Sequence, residues 1–302
     1  MFVVGSLNGD LLVSVERRPE PGETILGGDA QERPGGKGAN QAVAAARLGA
    51  RVAMLGRVGD DLVGRSLRDG LVAEGVDVTY VTTSAEAPTG RAVITVTPDG
   101  ENAIIVSPGA NARLGAGDVD AARDAIVAAR AIVLQLEIPL DAVARAVQTA
   151  ARAQVAVILN LAPIADVPAA VLAGTDVLVV NEHEASALLG ASVEGASAAQ
   201  RRGPELLGRG PRSAVITLGA AGAVAVGEDG SAEHVPAPRV RAIDTTGAGD
   251  AFVGALAAEL VAGRRLAEAT GFAARAGAAA TLAAGAQSAL PGREDLEKLF
   301  VA

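Results

Sequence analysis

Five short segments of this chain carry groups that could do chemistry. The segment DTTGAGDAFVGA, from Asp244 to Ala255, sets Gly247, Ala248 and Gly249 immediately before a helix that starts near Asp250. Unpaired N–H groups at such a start, with the positive end of the helix dipole, make a pocket for an anion. A carboxylate there repels a resting phosphate. Asp250 makes sense as a base that takes a proton from a hydroxyl attacking a phosphoryl group beside the pocket. Its plainer reading is an N-cap after a glycine-rich turn. GGKGAN (Gly35–Asn40) matches neither the Walker loop nor the dinucleotide fingerprint. Its glycines let a ligand approach the backbone, and Lys37 and Asn40 can bond hydroxyls; alternatively it is a simple strand-to-helix turn.

The remaining three segments are weaker alone. In GSLNGD (Gly5–Asp10), Asn8 and Asp10 lie two apart and share a face of an extended chain, which suits vicinal hydroxyls or a mere Asn-Gly-Asp turn. NEHE (Asn181–Glu184) offers Glu184 to Mg²⁺ through water and Asn181 to a phosphate, or is an acidic helix start. TLGAAGAV (Thr217–Val224) is a strand, a glycine turn and a second strand, with a polar edge where a nucleotide could rest.

These groups need a frame. The sequence predicts a first strand over Met1–Leu7, a helix from Gly35 to Gly49, a strand over 50–59, a helix over 60–74, and extended segments at 76–83 and 91–107 with a TPDG turn at Thr97–Gly100. From 118 onward helices (118–129, 139–152, 182–190, 197–208) alternate with apolar strands (131–137, 155–160, 176–181, 213–218, 222–227), and helices follow at 248–262 and 265–283. That order predicts an α/β fold with a mainly parallel sheet covered by helices on both faces, in one domain. Ligands in such folds bind at the carboxyl ends of strands, where Asn8, Glu137, Asn160 and Asn181 fall.

Composition narrows the class. Half of the 302 residues are apolar and only 2% aromatic, so the core is built from Ala, Val, Leu and Ile. A net charge of -9 speaks against nucleic acid and anionic membranes as partners, and requires any nucleotide site to be made attractive locally. With no Cys, thiolate chemistry, disulfides and Cys-ligated zinc are excluded. No run of eighteen apolar residues occurs and the N-terminus lacks a basic leader, so a cytoplasmic location is expected. Among 26 basic residues only Lys37 and Lys298 are lysine, which marks Lys37 as a position where a compact ammonium matters.

Taken together, in this order along nearly the whole chain, the segments resemble the ribokinase-like, or phosphofructokinase B, family of carbohydrate kinases. GGKGANQAVAAARLG and DTTGAGDAFVGA carry the likeness, supported by GSLNGD, the GAN at 109–111, QLEIPL at 135–140, NEHE and ITLGAAG. The resemblance implies ATP-dependent phosphorylation of the 5-hydroxyl of a pentose, D-ribose foremost. Asn8, Asp10, Gly36, Lys37, Asn40 and Glu137 would hold the sugar, Asp250 would be the base, and the Gly247, Ala248 and Gly249 amides the anion hole. Asn181, Thr217, Gly219, Gly222 and Gly249 would border ATP, with Glu184 near Mg²⁺. A monovalent cation, K⁺, would use the Asp244 carboxylate and carbonyls of Thr246, Thr281, Ala284 and Gly285. A small β-sheet lid from segments 10–33 and 88–107, hinged at Gly35 and Gly36, would exclude water and pair two subunits.

Two positions depart from the family pattern. GAQSALP places Ser288 one residue before the expected cation-site serine, with Ala289 in its place, and Asn160-Leu161 stands where Asn-Pro is usual. Related kinases of 2-deoxyribose, fructose, a sugar phosphate or a nucleoside are the alternatives within the family. Lys37 as the one identified cation in the sugar pocket, and four Phe with one Tyr in the chain, favour a small neutral sugar. An idle sugar sensor would not need Asp250, and a dinucleotide dehydrogenase would need a fingerprint this chain lacks.

Overall fold

Alternate residues along the apolar strands enter two different cores, which forces helices onto both faces of the sheet. Val3, Val133, Ile158, Val179 and Val215 pack with helices Lys37–Arg47, Ala248–Val261 and Leu266–Ala280. Their neighbours Val4, Ile132, Leu159, Val180 and Ile216 pack with helix Leu140–Arg152 on the other side. The structure is a computed structural model and describes residues 1–99 and 101–300. Gly100, the last residue of the expected TPDG turn, lies outside the described residues.

Thirteen strands form among the described residues: β1 (Phe2–Val4), β2 (Asn8–Ser14), β3 (Gln31–Gly35), β4 (Ala53–Gly59), β5 (Asp77–Ser84), β6 (Gly90–Val96), β7 (Asn102–Ser107), β8 (Ala131–Leu134), β9 (Ala156–Asn160), β10 (Val177–Asn181), β11 (Ser213–Thr217), β12 (Ala223–Val226) and β13 (Ala232–Val235). The larger sheet runs β13-β12-β11-β10-β9-β8-β1-β4-β5, parallel from β5 to β11 and antiparallel at β12 and β13. A second sheet, in the order β3-β2-β6-β7, is drawn from the segments expected to form a lid. Chain order reverses at β1, whose two neighbours are β8 and β4, so the crevice for a ligand opens where β1 and β8 end.

Several expected elements have different limits. The first strand stops at Val4, because the chain leaves the large sheet at Gly5 and enters the second sheet at Asn8. The helix expected over 118–129 is two short ones, since Ala122 (φ -92°, ψ 6°) departs from helical geometry. The helix expected over 197–208 tightens to a 3₁₀ turn from Gly203, where Pro204 removes an amide donor. Helices Ala169–Ala173 and Arg293–Phe300 and strand β13 were not among the expected elements; each is short, at five, eight and four residues.

Candidate active site

The start of helix Lys37–Arg47 is built by the end of β1. Gly36 has φ 89°, and a β-carbon there would lie 2.8 Å from the Asn8 nitrogen, so only glycine lets the helix start so near the bend between the two sheets. The first helical N–H groups find protein acceptors. Lys37 donates to Glu137 Oε2 (3.0 Å), Gly38 to Ser6 Oγ (3.3 Å) and Ala39 to the Ser6 carbonyl (2.9 Å). Ser6 Oγ donates to the same Glu137 oxygen at 2.6 Å. Glu137, expected as a sugar contact, thus also anchors the helix that carries Lys37 and Asn40.

Across from it, helix Ala248–Val261 is buried nearly all round. The two helices touch closely: a β-carbon on Gly254 would lie 2.6 Å from the Ala44 methyl and 2.7 Å from the Gln41 carbonyl oxygen. One turn before Gly254, the Asp250 carboxylate accepts from Asn40 Nδ2 (2.8 Å) at Oδ2 and from Gln41 Nε2 (3.0 Å) at Oδ1. Gln41 also donates to Asn160 Oδ1 (3.0 Å) and accepts from Gln135 Nε2 (2.6 Å). Burial pushes the Asp250 carboxyl above its ordinary range; Lys37 and the Asn40 and Gln41 amides oppose that rise without cancelling it. A buried carboxylate held by two amides and raised in basicity is suited to accept a proton. Gln41, Ser6 and Gln135 were not among the expected site residues, although Gln41 directly follows the GGKGAN segment.

Lys37 lies between the two halves of the site. Burial works to lower its pKa, but the carboxylates of Asp250, Glu137 and Glu184 outweigh it and hold the ammonium above its usual value. From the second sheet, β2 brings Asn8 and Asp10 to the same crevice. Asn8 Oδ1 accepts from Asn111 Nδ2 (2.8 Å), and Asn111 in turn clasps the Leu7 backbone on both sides. Gly35 leaves room for the Asp10 carboxylate beside it. Of four buried side-chain atoms without a partner among the described residues, two are here: Asp10 Oδ1 and Asn40 Oδ1. Buried acceptors without donors cost about 1–3 kcal/mol each, so this wall is made for a ligand that donates hydrogen bonds, such as a polyol.

Burial, together with the Glu137 and Asp250 carboxylates, pushes Asp10 up to about 7. An unfolded Asp gives up its proton near 3.8, so between these values the folded chain holds the extra proton, and stability falls as pH rises through that window. Asp10→Asn should therefore gain stability over the parent as pH goes from 5 to 8, on the order of 2 kcal/mol, when no sugar is present. Unfolding midpoints of both proteins against pH test this; parallel curves would remove the proton from Asp10.

On the far side of Asp250 a cavity of about 490 Å³ opens between β11–β12 and the helices Ala248–Val261 and Leu266–Ala280. Thr217, Gly219, Gly222, Ala248, Gly249 and Thr281 all line it, with Phe252 as its aromatic wall. At the helix start Ala248 N–H turns back to the Thr245 carbonyl (3.2 Å), whereas Gly249 and Asp250 N–H have no acceptor among the described residues. Of the three expected donors, Gly247 and Gly249 N–H have no acceptor among the described residues and Ala248 N–H is turned back, while Asp250 N–H adds a free donor. A β-carbon on Gly249 would meet nothing within 4 Å. Gly249→Ala should fold at least as stably, yet its methyl stands in the cavity and should weaken nucleotide binding about tenfold, with sugar binding unchanged. Nucleotide titration beside thermal melting would show it, and unchanged nucleotide affinity would mean that phosphate does not come to Gly249.

Asn181 is exposed at the end of β10, beside Thr217 of β11, and does not line the cavity. It forms a capping box with Glu184: Asn181 Oδ1 accepts from Glu184 N–H and Glu184 Oε2 from Asn181 N–H, both at 2.8 Å. Burial raises the Glu184 carboxyl, which the Asn181 amide and Lys37 counter in part. Asp244 ties two loops together, accepting from Gly285 N–H (2.8 Å) and Thr246 N–H (2.9 Å). Burial would raise it, but the Gly285 and Thr246 donors, with Arg33 nearby, hold it below its usual value and therefore ionised. Ser288 Oγ donates to the Ala284 carbonyl at 2.9 Å, and the Thr281 carbonyl accepts from Ile243 N–H (2.7 Å). Among the described residues no group of three or more His, Asp or Glu is placed to hold a metal, and no helix is long and apolar enough to cross a membrane.

Comparison with known proteins accords with this geometry. The family model described as pfkB family carbohydrate kinase matches residues 1–293. The chain is 38% identical to a ribokinase of Haemophilus influenzae over 295 residues, covering 98% of this chain and 96% of the relative. It is 36% identical to a deoxyribokinase of Salmonella typhi over 256 residues, covering 84% and 83%. Arabidopsis thaliana ribokinase, solved in complex with ribose and ATP, superimposes with a TM-score of 0.92 at 33% identity, covering 99% of this chain and 97% of that one. Matched by the family model over residues 1–293 and by these relatives over nearly its whole length, the chain belongs to the pfkB family of carbohydrate kinases.

Proposed function

We propose that the protein transfers the γ-phosphoryl group of ATP to the 5-hydroxyl of D-ribose, giving D-ribose 5-phosphate and ADP. One observation carries this reading: Asp250 stands at the junction of two compartments. On one side are the unpartnered acceptors Asp10 Oδ1 and Asn40 Oδ1, and on the other the glycine-walled cavity that Gly249 lines. A neutral polyol satisfies the first compartment and a nucleotide fits the second, with the transferred group passing in front of Asp250. The full-length likeness to ribokinases supports ribose as the acceptor.

In this reading Asn8, Asp10, Gly36, Lys37, Asn40 and Glu137 hold the sugar hydroxyls. Asp250 takes the 5-hydroxyl proton as that oxygen bonds to the γ-phosphorus and the bond to the bridging β–γ oxygen breaks, releasing ADP. Amides at Gly247, Ala248 and Gly249 receive the charge that develops on the phosphoryl oxygens, the free Gly249 N–H first among them. Asn181, Thr217, Gly219 and Gly222 border ATP. Glu184, beside Asn181 at the end of β10, would hold Mg²⁺ through water, with the nucleotide's phosphates as its main ligands; when bound, the ion would offset phosphate charge. The ionised Asp244 carboxylate and the carbonyls of Thr246, Thr281, Ala284 and Gly285 form an all-oxygen donor set that suits K⁺. The second sheet is read as a lid. Its edge strand β7 exposes Ile104, Ile105 and Val106 by 53%, 72% and 52%, which supports pairing of two copies of this chain through it as a homodimer. Sedimentation at micromolar concentration separates dimer from monomer.

The deciding experiment is ADP release with Mg-ATP on ribose, 2-deoxyribose, fructose, fructose 6-phosphate and adenosine, each with and without potassium. Preference for ribose is the expected result. Turnover on 2-deoxyribose alone would keep Asp250 and overturn the acceptor; no turnover on any would leave a sugar-binding protein.

A further inference from the structure

One cation near the site has no role in the scheme above. Arg33 lies in β3, directly opposite Asp10 of β2, so the two side chains share the face of the second sheet that looks onto the crevice. Its guanidinium reaches the other half of the molecule. A β-carbon placed on Gly285 would lie 3.1 Å from Arg33 Nη1 and 3.7 Å from its Cζ. Gly285 is held by Asp244, and the next residue, Ala286, has its α-carbon 2.9 Å from where a β-carbon of Gly247 would be, against the glycine turn that opens the anion pocket. Arg33 is half-buried. Its one side-chain acceptor among the described residues is Gln31 Oε1, at 2.6 Å in the same strand, and no carboxylate lies within ion-pair distance. A guanidinium with donors to spare is thus carried on the second sheet and set beside the glycine turn of a protein whose net charge is -9.

We propose that Arg33 binds the transferred phosphoryl group from the lid side, opposite the Gly249 amide. This rests on the kinase reading above. The planar fork of a guanidinium matches two phosphoryl oxygens at once, which an ammonium cannot do. Arg33 comes from the second sheet and the Gly249 amide from the helix Ala248–Val261, so the phosphoryl group meets donors from two different elements. Because Arg33 and Asp10 are paired on the same two strands, contact with the sugar and contact with the terminal phosphate come from one rigid piece of sheet.

The test compares nucleotides that differ by that group. With ribose and Mg²⁺ present, the full chain and its Arg33→Ala and Arg33→Lys variants are titrated with ADP and with a non-hydrolysable ATP analogue. Arg33→Ala should weaken the triphosphate analogue about tenfold while leaving ADP within about twofold, with Arg33→Lys between the two. In parallel, kcat on ribose should fall about a hundredfold with the KM for ribose nearly unchanged. Equal losses for ADP and the analogue, or none, would overturn the assignment. So would a loss confined to fructose 6-phosphate, which would place Arg33 on a phosphate of the acceptor. Arg33 bonds only within its own strand, so both variants should melt with the parent. Should the parent fail to turn over ribose, the acceptor reading falls, and the ADP-to-triphosphate contrast still judges Arg33.

Discussion

Asp250→Asn should lower turnover by about three orders of magnitude while sugar binding stays within a few-fold of the parent. The substitution keeps the shape and one acceptor oxygen, so either Asn40 or Gln41 still has a partner at the site where both now donate. It removes the second acceptor and, with it, any group able to take the hydroxyl proton. The sugar wall is otherwise untouched, because Asn8, Asp10, Lys37 and Glu137 come from other elements. The loss of a buried carboxylate also relieves a charge that burial disfavours, so the melting temperature should change little. ADP release gives the rate and calorimetry with ribose the affinity. Near-normal turnover would mean that another group is the base.

Gln41→Leu should cost stability on the order of 4 kcal/mol, more than is usual for a change of similar volume. The side chain is fully buried and meets three polar groups at once: Gln135 Nε2, Asn160 Oδ1 and Asp250 Oδ1. Leucine leaves all three without that partner, in a place water does not reach, and each such group costs about 1–3 kcal/mol. Turnover should fall as well, by about tenfold, since Asp250 then hangs from Asn40 alone. Denaturant unfolding reads the first effect and ADP release the second. Combining Gln41→Leu with Gln135→Leu should cost less than the sum of the two, because their mutual bond can be lost only once. Additive costs would argue that the two amides do not act together.

Contrasts between these residues show what a sequence displays. The glycine turn, its unpaired N–H groups and Asp250 occupy one continuous segment, so the chemistry proposed for them can be read locally. The parallel sheet is equally legible, because strands buried on both faces form short apolar runs at regular intervals. Gln41 is different. Its partners stand 94, 119 and 209 residues away, and no local pattern reports a hydrogen bond of that span. Ser6 was hidden for a related reason: an apolar start reads as one strand through Leu7, and only the fold shows that the chain turns at Gly5 to cap a distant helix. Asn181 and Glu184 show in the fold the helix start that their sequence offered, as a reciprocal capping box.

The division of the strands into two sheets has a consequence for how such an enzyme can change. Asn8, Asp10 and Arg33 belong to β2 and β3, while Asp250 and the glycine turn hang from the large sheet and its helices. In the reading proposed above, Asn8 and Asp10 contact the acceptor and Arg33 the transferred group from the smaller sheet, while Lys37, Asn40, Glu137 and Asp250 act from the helices and loops of the larger one, the two parts joined at Gly36. A graft that exchanges β2, β3, β6 and β7 for those of a relative with another acceptor keeps the base, its amide anchors and the nucleotide cavity intact. In that reading such a graft rewrites only part of the acceptor wall, and any new acceptor must still satisfy Lys37, Asn40 and Glu137 on the unchanged part.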